Sequence, residues 1–251
     1  MRTVMLPTFF DRAYLINLPE RTDRLRSAQR ELARLGWPLG PEGVRLFSAL
    51  RYTDRAGFPS AGTRGCYESH RACLQLAHRE GARNVLMIED DIFFSTNLPR
   101  LLPTIISRLE RNDWDFFYLG YVPYGGISPL PDTNGLKSKS DLSVNRYDGA
   151  LITCHCYVIN GRTLPRLLAH LDRLRVGLEG DQDAGPMPID GAYNIFRRDP
   201  DVVTLVTDPM LAFQRPSRSD ISPKGFDRVP ILREVIQTLR ECKHAVTTWR
   251  L

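Results

Sequence analysis

Several things are scarce in this 251-residue sequence, and each scarcity removes a class of protein. No apolar run approaches the roughly 20 residues of a membrane-spanning helix. Met1 to Phe10 carries one charge and a short apolar stretch broken by Pro7, then meets Asp11 and Arg12, which is not a signal-peptide pattern. The expectation is a soluble, cytoplasmic protein, with a peripheral contact at the inner face of a membrane left open. Lysine is limited to Lys137, Lys139, Lys224 and Lys243 among 34 basic residues. Nearly all the positive charge is therefore guanidinium, which suits bidentate phosphate contacts or simply reflects arginine-rich codon usage. The net charge is +5, but the arginines are scattered among acids rather than gathered in blocks, which speaks against nucleic acid as a partner. Five cysteines form an odd set without framework spacing, and Cys66, Cys73 and Cys242 are isolated, so a reduced compartment is expected. Cys154-His155-Cys156 invites a zinc reading, yet on a strand its two sulfurs share one face with no second ligand pair nearby. Small buried residues in a core strand fit it better. Internal repeats and low-complexity segments are also missing.

Against that background one segment stands out. Asn84-Val85-Leu86-Met87-Ile88 is a short run without polar alternation, and it stops at three adjacent carboxylates, Glu89-Asp90-Asp91. Such a run suits a strand covered on both faces, as in an α/β sheet. Its acids then stand at the carboxyl end, where open α/β sheets bind their ligands. Three neighbouring carboxylates repel one another and are accommodated either by a divalent cation or by solvent in an acidic turn.

The remaining elements alternate. Ala13 to Leu18 reads as a first strand. Leu25, Ala28, Leu32 and Leu35 repeat at helical spacing, with Gly36 as the stop. Val44 to Phe47 is a second strand and Tyr67 to Glu80 a helix ended by Gly81. After the acids come a helix over Leu101 to Leu109, with Pro103 in its early part, and a strand from Asp115 to Leu119. This βαβαβαβ order predicts an α/β fold with a largely parallel sheet flanked by helices. Pro123 to Ser143 is rich in Gly, Pro, Ser, Asp and Lys and reads as a long loop, with Tyr121 and Tyr124 at its start either to stack on a sugar or to pin it. Beyond it lie strand-like stretches at Ala150 to Ile152 and Tyr157 to Ile159 and a helix over Leu164 to Leu171. A loop from Gly177 to Pro188, a helix opening at Ile189, a last strand at Val202 to Val206 and a terminal helix from Val229 to Cys242 complete the order. One domain is expected, with a nucleotide-binding half over about 13–120, an acceptor half over about 121–221 and a helical extension over 222–251.

Taken in order, several segments resemble glycosyltransferase family 25, the family of lipooligosaccharide and collagen-type galactosyltransferases. Leu15-Ile16-Asn17-Leu18-Pro19-Glu20-Arg21-Thr22-Asp23-Arg24 is similar to its opening strand and turn, and Gly65-Cys66-Tyr67-Glu68-Ser69-His70 to its Gly-Cys…Ser-His helix start. Glu89-Asp90-Asp91 matches its acidic motif, Cys156 to Asn160 a later strand, Pro188-Ile189-Asp190 its Pro-x-Asp, and Gln214 with Ser219-Asp220-Ile221 its closing residues. The resemblance implies a GT-A type fold, a Rossmann-like nucleotide-binding half joined to an acceptor half. It also implies an inverting transfer of a hexose, galactose by analogy, from a UDP-sugar to a hydroxyl of a glycan or lipopolysaccharide-type acceptor, with Mn²⁺ or Mg²⁺.

The resemblance assigns roles as expectations. Asp91 is the direct metal ligand, with Glu89 a second ligand or, like Asp90, nearer the ribose or the sugar hydroxyls. Asn17, Arg21 and Arg24 lie at the edge where an amide binds base or ribose and a guanidinium binds diphosphate. His70 contacts the nucleotide beside a helix-capping Ser69, or else is a core histidine bonded to a carbonyl. Asp190 is the catalytic base, against the rival reading of a helix cap, and Asp148 is a second candidate. No histidine neighbours Gln214 in sequence, which leaves Gln214 as a polar substitute at the metal. Two other classes stay in view: a metal-dependent nucleotide or phosphoester hydrolase, and a non-catalytic basic binding protein.

Overall fold

The computed structural model of the chain describes residues 6–124 and 142–215. The predicted terminal helix, Ser219-Asp220-Ile221 and most of the Pro123 to Ser143 loop lie outside the described residues. Among the described residues no helix is long and apolar enough to cross a membrane.

Seven strands form one sheet: β1 (Arg12–Asn17), β2 (Arg45–Ser48), β3 (Asn84–Glu89), β5 (Phe116–Pro123), β6 (Ser143–Arg146), β7 (Leu151–Asn160) and β8 (Thr204–Asp208). They lie in the order β2-β1-β3-β7-β5-β8-β6. The pairs β1–β2, β1–β3 and β5–β8 are parallel, whereas β7 is antiparallel to both β3 and β5, and β6 to β8. Five strands thus point one way and two the other, so the sheet is mostly parallel, as expected, with an antiparallel strand wedged at its centre. A small second sheet pairs β4 (Ile92–Phe94) with β9 (Ala212–Gln214), which sequence reading missed because three-residue strands carry no periodicity.

Strict alternation on the strands sends side chains to two cores. Tyr14 and Ile16 of β1, Val85 and Met87 of β3, and Phe116 and Tyr118 of β5 pack under α2 (Ala61–Arg79), α4 (Leu164–Arg175) and α5 (Ile189–Phe196). Ala13, Leu15, Leu86, Ile88, Phe117 and Leu119 face the other way, onto α1 (Thr22–Leu35) and α3 (Leu98–Leu109). The result is a three-layer α/β/α domain in which β3 is buried on both faces.

Helix ends follow local chemistry. Gly36 closes α1 with φ 73°, a left-handed conformation that favours glycine. The α2 helix begins six residues earlier than Tyr67, because Ser60 caps it by accepting from Thr63 N at 3.0 Å. Ser69 is therefore no cap but a mid-helix residue, its hydroxyl donating to the Gly65 carbonyl at 2.6 Å and accepting from Leu50 N at 2.8 Å.

The two stretches predicted at 150–152 and 157–159 are one strand, β7, carrying an irregularity. Cys156 faces Gly120 while Ile152 faces Val122, so β7 spends extra residues around Thr153, whose φ is 82°. That irregularity overturns the expected geometry of Cys154-His155-Cys156. Cys154 enters the core under α2 and Cys156 the core on the opposite face, so the sulfurs do not share a side. Tyr121 is buried with its hydroxyl on the Thr207 carbonyl at 3.1 Å, while Tyr124 is exposed.

Candidate active site

Parallel pairing of β1 with β3 places Ile16 opposite Glu89, so Asn17 and the acids leave the sheet at the same edge. Glu89 is the last residue of β3, and Asp90 and Asp91 form the turn into β4. The three carboxylates diverge as extended neighbours must, and each meets a different environment.

Asp90 is fully engaged. Its Oδ2 accepts from Asn17 Nδ2 at 2.7 Å and its Oδ1 from Arg24 Nη1 at 3.0 Å. Asn17 Nδ2 also reaches the Arg21 carbonyl at 3.2 Å, so one amide ties β1, the following turn and the acids together. Burial pushes the Asp90 carboxyl above its ordinary value, and Arg24 and Asn17 offset only part of that push. Arg21 pairs with Asp23 at 3.2 Å on the first turn of α1.

Asp91 is buried and incompletely satisfied. Its Oδ2 accepts from Gln214 Nε2 at 3.2 Å and stands 3.7 Å from Arg24 Nη1, and its main-chain carbonyl accepts from Arg215 N at 2.7 Å. Among the described residues its Oδ1 has no hydrogen-bond partner. Burial first, and the neighbouring Glu89 second, push the carboxyl up to about 7, with Arg24 partly offsetting them. A hard divalent cation fits this residue: it would give the orphaned oxygen a partner and favour the ionised form that burial opposes. Gln214, 123 positions away in sequence, reaches Asp91 because β9 pairs with β4 and sets Gln214 opposite Ile92.

Glu89 lies on the α2 side of the strand end. Its Oε1 is 3.2 Å from His70 Nε2, the other ring nitrogen of His70 is 2.7 Å from the Tyr157 hydroxyl, and that hydroxyl is 2.8 Å from the hydroxyl of Tyr193. Burial opposes charge on Glu89, but the bond and field of His70 outweigh it and hold the carboxyl below its ordinary value. His70 is thus neither beside a cap nor bonded to a carbonyl. It is a buried link between an acid and two phenols.

Asp190 occupies the first turn of α5, whose N-cap is Pro188, so the capping alternative does not describe it. Its Oδ2 accepts from Thr153 N at 3.1 Å and its Oδ1 from Gly191 N at 2.9 Å. The left-handed conformation of Thr153, costly for a β-branched residue, belongs to the irregular stretch whose N–H meets this carboxylate. Burial raises the Asp190 carboxyl, and the two backbone bonds pull it back in part. Asp148, by contrast, is exposed and paired with Arg146 at 2.9 Å.

These groups converge. The Cys66 thiol feels the charges of Glu89, Asp190 and Asp91, so Asp190 belongs to the same region as the strand-end acids although 99 positions separate it from Asp91. A histidine also approaches β9 after all: His155 of β7 contacts the Ala212 carbonyl through Nε2 at 3.3 Å and Thr153 Oγ1 through Nδ1 at 3.1 Å. Both its nitrogens are occupied, and burial lowers its pKa, so it stands as a neutral strut rather than a ligand. Sequence reading missed Tyr157, Tyr193, Thr153 and His155 at the site, since nothing local signals a contact made across the sheet. The arrangement sets a buried carboxylate with one open oxygen, Asp91, in the same region as a second desolvated carboxylate, Asp190.

Comparison with known proteins adds a lineage. Residues 48–190 match the family model described as glycosyltransferase family 25 (LPS biosynthesis protein), a span holding the acids and ending on Asp190. Two relatives align over 44% of the chain at 27% identity: the inactive glycosyltransferase 25 family member 3 of Homo sapiens and procollagen galactosyltransferase 1-B of Xenopus laevis. The alignments span 22% and 21% of those proteins, so the chain matches about a fifth of their length. The crystal structure of a glycosyltransferase involved in glycosylation of the major capsid of PBCV-1 superimposes with a TM-score of 0.45 at 12% identity, covering 77% of this chain and 79% of that one.

Proposed function

Because the chain belongs to glycosyltransferase family 25, we propose that it transfers a hexose, galactose by family analogy, from a UDP-sugar to a hydroxyl of a glycan or lipopolysaccharide-type acceptor. The observation that carries the reading is the buried Asp91 carboxylate, one oxygen of which has no partner among the described residues, at the carboxyl edge of the sheet where α/β folds bind their ligands.

Asp91 would hold Mn²⁺ or Mg²⁺, with Gln214 beside it. Such an ion supplies Lewis-acid stabilisation to the departing diphosphate. Asp90 serves by holding Arg24 and Asn17 in place, since both its oxygens are already engaged. Arg21 and Arg24 give the edge positive charge toward the diphosphate, while Glu89 is turned to the α2 side of the strand end by His70. In a single displacement the acceptor oxygen bonds to the anomeric carbon as the bond from that carbon to the phosphate oxygen breaks. Asp190 takes the hydroxyl proton, and its desolvation makes it a stronger base than a solvated carboxylate. The configuration at the anomeric carbon inverts.

One relative is named inactive and another a galactosyltransferase, so a donor-binding protein without turnover is the competing reading. Thermal unfolding with UDP-sugars, with and without Mn²⁺, tests binding, because a ligand at a hundredfold excess over its Kd stabilises by about 2.7 kcal/mol. The expected result is a UDP-galactose shift that needs Mn²⁺ and disappears in Asp91→Ala. UDP release accelerated by an acceptor glycan then separates transfer from mere binding, and phosphomonoester cleavage in its place would point to a hydrolase.

A further inference from the structure

Cys66 and His70 stand four residues apart on α2, one helical turn, and so share a face. That face covers the carboxyl end of β3, where Glu89 rises toward it. The Cys66 sulfur, a ring nitrogen of His70 and a carboxylate oxygen of Glu89 all lie within 4.8 Å of one another. We propose that Cys66, His70 and Glu89 form a binding site for a borderline-soft divalent cation, zinc foremost, distinct from the hard-oxygen position at Asp91.

The donor set carries the choice of ion. Thiolate, imidazole and carboxylate together select zinc over magnesium or manganese, which prefer oxygen alone. The separation of 3.2 Å between His70 Nε2 and Glu89 Oε1 is close to the edge of a tetrahedron with bonds near 2.0 Å, about 3.3 Å. A thiolate and a carboxylate balance a doubly charged ion, so no net charge is left buried.

The surroundings are those of a built site. Zinc-binding histidines are oriented by a hydrogen bond to their second nitrogen, and His70 has one at 2.7 Å from Tyr157, itself held by Tyr193 at 2.8 Å. Phenols donate or accept, so this chain serves the ring tautomer that frees Nε2 for a metal as readily as the one that donates to Glu89. Cys66 is half-buried and the Glu89 side chain 22% exposed, so the cluster is not sealed from solvent. Without a cation, burial foremost and the nearby acids keep the thiol protonated, so this cysteine is inert until a metal displaces its proton.

Cobalt(II) reports directly on sulfur ligation. Titrating metal-free full-length protein with Co²⁺ is expected to produce a thiolate-to-cobalt charge-transfer band that saturates at one equivalent and is displaced by Zn²⁺. Cys66→Ser and Cys66→Ala should each lose the band while keeping a native circular dichroism spectrum, and Tyr157→Phe should weaken zinc binding by about 10- to 100-fold. Asp91→Ala should keep the band while losing the manganese-dependent shift, so the two sites fail separately. A wild-type protein without the band, or a band that survives both Cys66 variants, overturns the proposal, and the wild-type titration decides even if neither variant folds.

Discussion

Asp90 and Asp91 are adjacent and chemically identical, and the side chains that reach them make them unlike. Asn17 and Arg24 engage both oxygens of Asp90, whereas Gln214 engages a single oxygen of Asp91. The sequence placed Asn17, Arg24 and the acids at one edge, but which acid is left open depended on contacts across 66 to 123 positions. Asp190 supports a prediction in pH. Its carboxyl is raised from the ordinary 3.8, chiefly by burial, so it is protonated over a range where a solvated aspartate is not. A base must be ionised, so kcat/KM should fall on the acid side at a pH above that ordinary value. Asp190→Asn should remove transfer while sparing the UDP-sugar thermal shift; transfer persisting in that variant would place the base elsewhere. The sign for stability is opposite. A raised folded pKa favours the fold below about 3.8, and this contribution is lost as pH rises through the folded value.

The central antiparallel strand shows an element deciding the site. The irregular stretch of β7 turns Thr153 N toward Asp190 and brings His155 against Gly120 and the Ala212 carbonyl. A Cβ at Gly120 would collide with the His155 ring and with that carbonyl. Gly120→Ala should therefore destabilise the fold by about 1–3 kcal/mol in urea unfolding, and more than the same change at Gly81, where a Cβ meets nothing within 4 Å. Gly81 has φ 67°, so its own substitution carries backbone strain alone. On α2, Ser69→Ala should cost about 1–3 kcal/mol, because Leu50 N loses its partner in a part-buried position. The sequence marked Ser69 as noteworthy, but a cap and a strut use the same hydroxyl, and the partner 19 residues away distinguishes them.

Across the whole molecule the sheet separates strength from chemistry. At the edge opposite the acids, Asp115 precedes β5 and accepts from Thr163 Oγ1 at 2.6 Å and from Val203 N at 2.8 Å, joining the starts of β5, α4 and β8. Asp115→Ala should lower stability by about 1–3 kcal/mol, read as a reduced denaturation midpoint, while leaving the manganese-dependent UDP-sugar shift in place. Loss of that shift in a folded variant would contradict the separation. The sequence by itself determined the α/β class, the doubly buried β3 and the carboxyl-edge position of the acids, because hydrophobic period and local caps act over a few residues. The tertiary structure alone decided the antiparallel place of β7, the opposite fates of Cys154 and Cys156, and the meeting of Glu89, Asp91, Asp190, Gln214 and Cys66. Those depend on strand order and on two shifts in register, and such long-range choices are fixed by how two cores pack against one sheet rather than by any short run of residues.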